Sequence, residues 1–410
     1  MAARSGNGRQ RRELRPVADL RPVSEARDLV LAAVRQLPAE EVPLADALGR
    51  VLAEDLRSPV DVPPFDSSAM DGYAVVAGPG GELPLIGEAR AGHPAAERVE
   101  PGTAVRISTG AALPAGADSV VPVERTEATA AGVRLPETAP GDNVRRAGED
   151  VRRGDLVLSA GVELGPAELG VLASLGLPAT SCARRPRVVL IVTGDELAEP
   201  GEPLTAGRIF SSNSYALAGQ VATAGAILVR RERVADDASQ TLSALERALA
   251  DADLVCVSGG VSVGPHDHVR GALSELGVEE RFWGVRLKPG KPTWFGVRDE
   301  TLVFGLPGNP VSAMVTFHLF ARPALRALQG AEPESGRATA VLDEPVRRNP
   351  RREQAVRVRL RADGDGWHAA TTGDQGSHVL TSMLGAAGLA LIPSGEGELS
   401  VGERVEVELL

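Results

Sequence analysis

Lysine is nearly absent from this chain. Of its 44 lysine and arginine residues only two are lysine, Lys288 and Lys291, and both fall in the stretch LKPGKP (287–292). Cysteine is almost as scarce. Cys182 and Cys256 lie in unrelated contexts and form no metal-type pair, which argues against a disulfide scaffold and points to a reducing cytoplasm. No stretch approaches the ~20 unbroken apolar residues of a membrane span, and the start carries no apolar signal-peptide core. An excess of positive charge is missing too, and the net charge of −11 argues against general nucleic-acid binding. The local exception is the start, where Arg4, Arg9, Arg11, Arg12 and Arg15 make residues 1–17 a basic tail, expected to be disordered and solvated.

With 410 residues, 43% of them hydrophobic and 24% charged, the chain suffices for several domains with buried cores. Apolar residues recur at helical spacing in SEARDLVLAAVRQL (24–37) and VPLADALGRVLAEDL (42–56), predicting two helices. The Pro/Asp/Gly-rich run from 57 to 78 marks a loop, and short alternating runs separated by Gly and Pro up to 145 predict a small β-domain. Residues 150–180 read as helix again. From Arg184 strand-like and helix-like segments alternate up to about Gly330, which predicts a doubly wound α/β domain with a parallel sheet. After Gly330 short strands and turns predict a closing β-domain.

In an open α/β sheet, ligands bind off the carboxyl ends of the strands. Those ends carry Thr193-Gly194-Asp195-Glu196, the run from Ser258 through Gly259 and Gly260 to Ser262, and Gly305 to Pro310. Glycines there supply positive φ in any turn, but three such turns on one sheet also make a cradle of backbone N–H groups for an anion. LKPGKP adds two cations on a Pro-stiffened loop. It is not a P-loop, because five residues separate Gly284 from Gly290 and Pro292 takes the Ser/Thr position. A compact ammonium meets an oxyanion as a point charge, where guanidinium is planar and bulkier, so lysine has a reason to persist here. Asp71, Glu196 and Asp236 would repel an anion unless Mg²⁺ bridged carboxylate and phosphate. Asp267 follows a strand end and reads equally as a ligand-facing acid or a helix cap. GVSVG (260–264) matches a hydrolase nucleophile elbow around Ser262, but the preceding glycine and Pro265 spoil the strand–turn–helix context. His266 and His268 lack further ligands at zinc spacing.

PPFDSSAMDGYAV (63–75), RISTGAALPAGADSVVPVE (106–124), NVRRAGEDV (143–151), TGDEL (193–197), SGGVSVG (258–264), LKPGKP, GLPGNPVSA (305–313) and GDQGSH (373–378), in this order, resemble the molybdopterin molybdenumtransferase family, which includes the E domain of gephyrin. The resemblance implies a cytoplasmic homodimer that converts adenylylated molybdopterin and molybdate, with Mg²⁺, into molybdenum cofactor and AMP. It implies four domains: a discontinuous one (18–58 with 150–183), an inserted β-domain (59–149), a molybdopterin-binding α/β domain (184–330) and a C-terminal β-domain (331–410). Carried over position by position, Asp71, Thr109 and Arg145 come from the inserted domain, and Arg357 and Ser377 from the C-terminal one. Glu196, Asp236, Asp267, Lys288, Lys291, Pro307 and Pro310 come from the α/β domain. Asp71, Glu196, Asp267 and the two lysines are the expected catalytic set, with Glu196 and Asp267 holding metal and Thr193, Gly194 and the 258–262 turn binding substrate. Molybdopterin adenylyltransferase and molybdoenzyme maturation factors are the implied partners, with no nucleic acid and no membrane. Two departures stand out: some relatives have a further cation where this chain has Gly284, and an Asp near Ser211. The adenylyltransferase itself is a rival reading, opposed by the additional β-domains. A non-catalytic scaffold of the same fold is another, opposed by the nearly complete polar set.

Overall fold

The structure, a computed structural model, describes residues 20–260, 268–334, 336–364 and 366–410. The expected basic tail and Asp267, Ser262 and His266 therefore lie outside the described residues. The chain divides into two compact units, residues up to Glu40 with Ala183–Leu410, and Glu41–Cys182. The first unit begins with helix α1 (Val23–Ala32), whose Val23, Ala26 and Val30 are buried at helical spacing.

The second unit is mostly short strands. Its largest sheet runs in the order β2 (Leu85–Ala89), β3 (Ala104–Ile107), β1 (Gly72–Val75), β4 (Ser119–Pro122), over a core that includes Ala74, Val105 and Val120. A Cβ at Gly72 would fall 2.0 Å from the Val121 carbonyl oxygen, so β1 and β4 pair this closely only with glycine there. Two segments expected to be helical fold differently. Over 42–56 there is one 3₁₀ turn (Leu44–Asp46), then Gly49 at φ +68° diverts the backbone, and Val51 and Leu52 form bridges with Glu163 and Cys182. Leu48 is left exposed, so the apolar spacing did not describe a buried helical face. Over 150–180, Leu156–Leu158 is a strand, and helix α2 (Pro166–Ser174) starts late, with Pro at its first turn and Glu168 Oε2 accepting the Gly165 N–H at 2.9 Å.

The first unit contains a six-stranded sheet in the order β6 (Ile227–Val234), β5 (Arg187–Thr193), β7 (Leu254–Ser258), β10 (Thr301–Leu306), β9 (Trp294–Arg298), β8 (Glu279–Trp283). The first four strands are parallel, while β9 and β8 form an antiparallel edge. Alternate residues of β5 and β7 serve different cores. Val188, Leu190 and Cys256 pack with Leu217 and Val221 of α3 (Ser212–Thr223). Val189, Ile191 and Val257 pack with Leu245 of α4 (Ala238–Asp251) and Val269 of α5 (Val269–Glu275). Apolar side chains on both faces force helices onto both faces, which is the doubly wound arrangement.

From Pro310 to Leu328 runs one long helix, α6 (Pro310–Thr316) and α7 (Arg322–Leu328) joined by a π-helical turn (Phe317–Ala321). The π turn sits just before Pro323, which has no N–H for the Leu319 carbonyl. The buried Arg27 of α1 donates to that carbonyl instead, Nε to O at 3.2 Å. The C-terminal β-domain closes into a five-stranded barrel, β11 (Arg337–Leu342), β12 (Glu353–Asp363), β13 (Gly366–Thr371), β14 (Gly388–Ile392) and β15 (Arg404–Leu409), with β12 pairing both β13 and β14. Leu287 and Lys288 add to β12 as a short parallel strand opposite Glu353 and Gln354. The lysine loop is thereby stitched to the barrel while its chain continues into β9.

Candidate functional site

The carboxyl ends of β5, β7 and β10 open into a cavity of about 840 Å³. Thr193, Gly194, Glu196, Asp236, Ser258, Gly259, Gly260, Pro307 and Pro310 all line it, so the three turns read from sequence do meet at one place. The turns need their glycines. Gly259 and Gly260 have φ +92° and +65°, and a Cβ at Gly259 would lie 2.8 Å from the Thr193 carbonyl oxygen. Ser258 is buried, accepts from Asn213 Nδ2 at 2.9 Å and donates to the Pro307 carbonyl at 3.3 Å. Asn213 also donates to the Gly308 carbonyl at 2.8 Å, so one α3 side chain ties two of the turns together. The Glu196 carboxylate folds back over Gly194, close enough that a Cβ there would sit 2.3 Å from Oε2. Asp236 is held by its own N–H, donated to Asp195 Oδ1 at 3.1 Å. Among the described residues no group of three His, Cys, Asp or Glu side chains converges as a metal centre.

Next to it lies a second cavity of about 530 Å³, sharing Pro292, Asn309 and Ser312 with the first. Lys288 and Lys291 both line it, with Arg352, Asp374, Gln375 and Ser377 from the barrel. Asn309 Nδ2 donates to Ser377 Oγ at 3.0 Å, joining the start of α6 to the GDQGS loop. Sequence reading missed Arg352. Its only signal was composition, and one arginine among 42 carries none. The structure singles it out because burial lowers its pKa, and no carboxylate pairs with it among the described ion pairs. Gly284 explains why no cation sits there in this chain: φ is +89°, and a Cβ would come 2.5 Å from Leu20 Cδ2. Arg286 lines neither cavity, and its main chain instead bonds Arg21 and Glu353. Ser211, the other departure, is buried and donates to Ser214 Oγ at 3.0 Å, an exchange a carboxylate could not make.

Arg357 is placed differently from Ser377. It is 1% exposed and lines none of these cavities. Burial lowers its pKa to about 10, against the opposing pull of the Asp374 carboxylate. In the second unit Asp71 and Thr109 meet directly: Asp71 Oδ1 accepts the Thr109 N–H at 2.7 Å. Arg145 is exposed opposite Ser67 on an adjoining two-residue ladder. Gly110 N–H donates to the Ser68 carbonyl at 2.8 Å and Ala69 N–H to the Asn143 carbonyl at 2.9 Å, so the SSAMDG, STGAAL and DNVRRA segments form one cluster. Asp66 anchors it by accepting the Ala147 N–H and pairing with Arg146 at 2.7 Å, which together hold its carboxyl below the usual range.

Three family models match this chain: the MoeA N-terminal region (domain I and II) at residues 21–176, a probable molybdopterin binding domain at 189–327, and the MoeA C-terminal region (domain IV) at 339–410. Molybdopterin molybdenumtransferase 2 of Mycobacterium tuberculosis is 39% identical over 405 residues, covering 95% of this chain and 99% of that protein. The molybdopterin molybdenumtransferase of Haemophilus influenzae is 36% identical over 392 residues, covering 92% and 96%. The crystal structure of the molybdopterin biosynthesis moeA protein from Pyrococcus horikoshii OT3 superposes with a TM-score of 0.83 at 32% identity, covering 95% of this chain and 100% of that one.

Proposed function

The chain belongs to the molybdopterin molybdenumtransferase family, and from that premise we propose that it inserts molybdenum from molybdate into adenylylated molybdopterin. Cleavage of the adenylate then releases AMP and molybdenum cofactor. One observation carries this reading: Lys288, Lys291 and Arg352 gather on a cavity that opens beside a larger one at the carboxyl ends of the parallel strands. The large cavity suits a pterin nucleotide, with the Thr193–Gly194 and Ser258–Gly260 turns as part of its wall, their Gly194 and Gly259 N–H groups held by the Val234 and Leu306 carbonyls. The small one suits a tetrahedral dianion. Bringing molybdate beside a phosphate forces like charges together, and three cations offset that repulsion.

Mg²⁺ belongs to the same reading. Glu196 and Asp236 put carboxylates on the larger cavity wall without a closed ligand cage, which fits an ion that takes one or two carboxylates and completes its shell with phosphate oxygens. There it would neutralise charge on the phosphoanhydride as it breaks. Asp267 is the further candidate ligand. Homodimerisation, work in the cytoplasm, hand-over from an adenylyltransferase and to maturation factors, and the four-domain division at 58, 149, 183 and 330 complete the proposal. Among the described residues no helix is long and apolar enough to cross a membrane, and both cysteines are buried. Incubating the purified chain with adenylylated molybdopterin, molybdate and Mg²⁺ tests the core claim. AMP and active cofactor are expected, and the absence of both would sink it.

A further inference from the structure

A buried arginine normally faces a carboxylate. Arg357, on β12, forms no ion pair among the described residues: its guanidinium donates from Nε to Ser382 Oγ at 3.2 Å and from one terminal nitrogen to the carbonyls of Asp374 and Gly376, at 3.4 and 3.3 Å. Its main chain grips the same loop, with its N–H on Gln375 Oε1 at 2.9 Å and its carbonyl accepting from Thr372 N at 3.0 Å. Holding a desolvated cation there costs stability, so the loop geometry it imposes needs a use.

Peptide geometry supplies one. In a trans peptide the C=O of one residue and the N–H of the next point in opposite directions. With the Asp374 and Gly376 carbonyls turned inward onto Arg357, the N–H groups of Gln375 and Ser377 turn outward, on the side where residues 374–377 line the lysine cavity. The intervening Gly376 N–H is taken by Asp374 Oδ1 at 2.7 Å. Neither outward N–H donates to any described residue. Two free amides, one on either side of the bonded Gly376 N–H, thus offer an anion two donors at the rim of a cationic cavity.

We infer that Arg357 is a positioning residue, which aims the Gln375 and Ser377 amides at a tetrahedral oxyanion held by Lys288, Lys291 and Arg352. This rests on reading that cavity as the molybdate site.

The test uses the full chain with Arg357→Lys and Arg357→Met. Lysine keeps the charge but lacks the planar fork that reaches the Ser382 hydroxyl through Nε and both carbonyls through one terminal nitrogen. Molybdate affinity by equilibrium dialysis is expected to fall about ten-fold in both variants, while the KM for adenylylated molybdopterin moves less than about two-fold. A role confined to packing would move both constants with the melting temperature. Unchanged molybdate affinity in a folded variant overturns the inference. Should neither variant fold, amide-resolved hydrogen exchange on the wild-type chain decides: added molybdate must protect Gln375 and Ser377, and binding without that protection overturns it. Protection without any AMP or cofactor formation would instead defeat the transferase reading and leave Arg357 its role.

Discussion

Replacing Lys288 or Lys291 by arginine keeps the charge and changes its shape. Both lysines border the cavity that also holds Arg352, and Pro289 and Pro292 limit how the backbone can adjust. A planar guanidinium there collides with space an oxyanion needs, so each substitution is expected to raise the KM for molybdate about ten-fold, ~1.4 kcal/mol. Initial rates against molybdate concentration check this, and unchanged kinetics in the double variant would mean that lysine was not required. Gly72→Ala is a test of a different kind. It puts a methyl group 2.0 Å from the Val121 oxygen, so β1 and β4 must separate, at a cost of about 3 kcal/mol or more, read as a lowered melting temperature. At this scale the lysines were legible because they were rare, and the glycine turns because φ > 0 leaves a sequence trace. The resemblance named Arg357 and passed over Arg352, and the residues themselves carry no signal that tells the two apart. Both are arginines of one strand region in an arginine-rich chain, and only burial shows that one faces a cavity and the other the loop behind it.

Elements followed their local signals where periodicity and burial agreed. The parallel strands were legible as apolar runs because helices cover both faces of the sheet. Residues 42–56 had helical spacing but also Gly49 in the left-handed region, and tertiary pairing won. The junction of α1, the π turn and the barrel was invisible in sequence, since its partners are far apart along the chain. There Arg27 pairs with Glu408 at 2.7 Å and Glu334 at 2.9 Å. Arg27→Met leaves Glu408 buried with less compensation and frees the Leu319 carbonyl, so a loss of about 3 kcal/mol is expected in chemical denaturation. His318 stands beside this cluster, its Nε2 4.0 Å from Glu408 Oε2, and burial first, then Arg322 and Arg27, lower its pKa to about 4. Its folded pKa lies below the unfolded 6.5, so the unfolded chain takes up the proton first. Stability is therefore unaffected above pH 6.5 and falls as pH drops towards 4, by about 3 kcal/mol in all. Glu353, raised by burial, contributes with the opposite sign above its ordinary pKa. His318→Leu should flatten the pH 6.5-to-4 slope relative to wild type, and an identical slope would exclude His318 as its source.

At the level of the whole molecule, the two compact units have separate cores and are joined where the chain leaves near Glu40 and returns at Ala183. The Arg184 N–H donates to the Pro38 carbonyl at 2.9 Å, so exit and return lie side by side. Excising 41–182 and joining the ends through a short Gly/Ser linker should therefore leave the α/β sheet and barrel folded, since that unit keeps its strands and core. The shortened chain keeps Lys288, Lys291, Arg352 and the Arg357-held loop, so it should bind molybdate within about three-fold of the full chain. It lacks Asp71, Thr109 and Arg145, whose cluster lies wholly in the removed unit, and cofactor formation should fall by at least about a hundred-fold. Calorimetry, equilibrium dialysis and AMP release on the same preparation separate the three statements. A folded, molybdate-binding chain that still turned over at the full rate would place all the chemistry in the first unit and leave the Asp71–Thr109 contact with only a structural part.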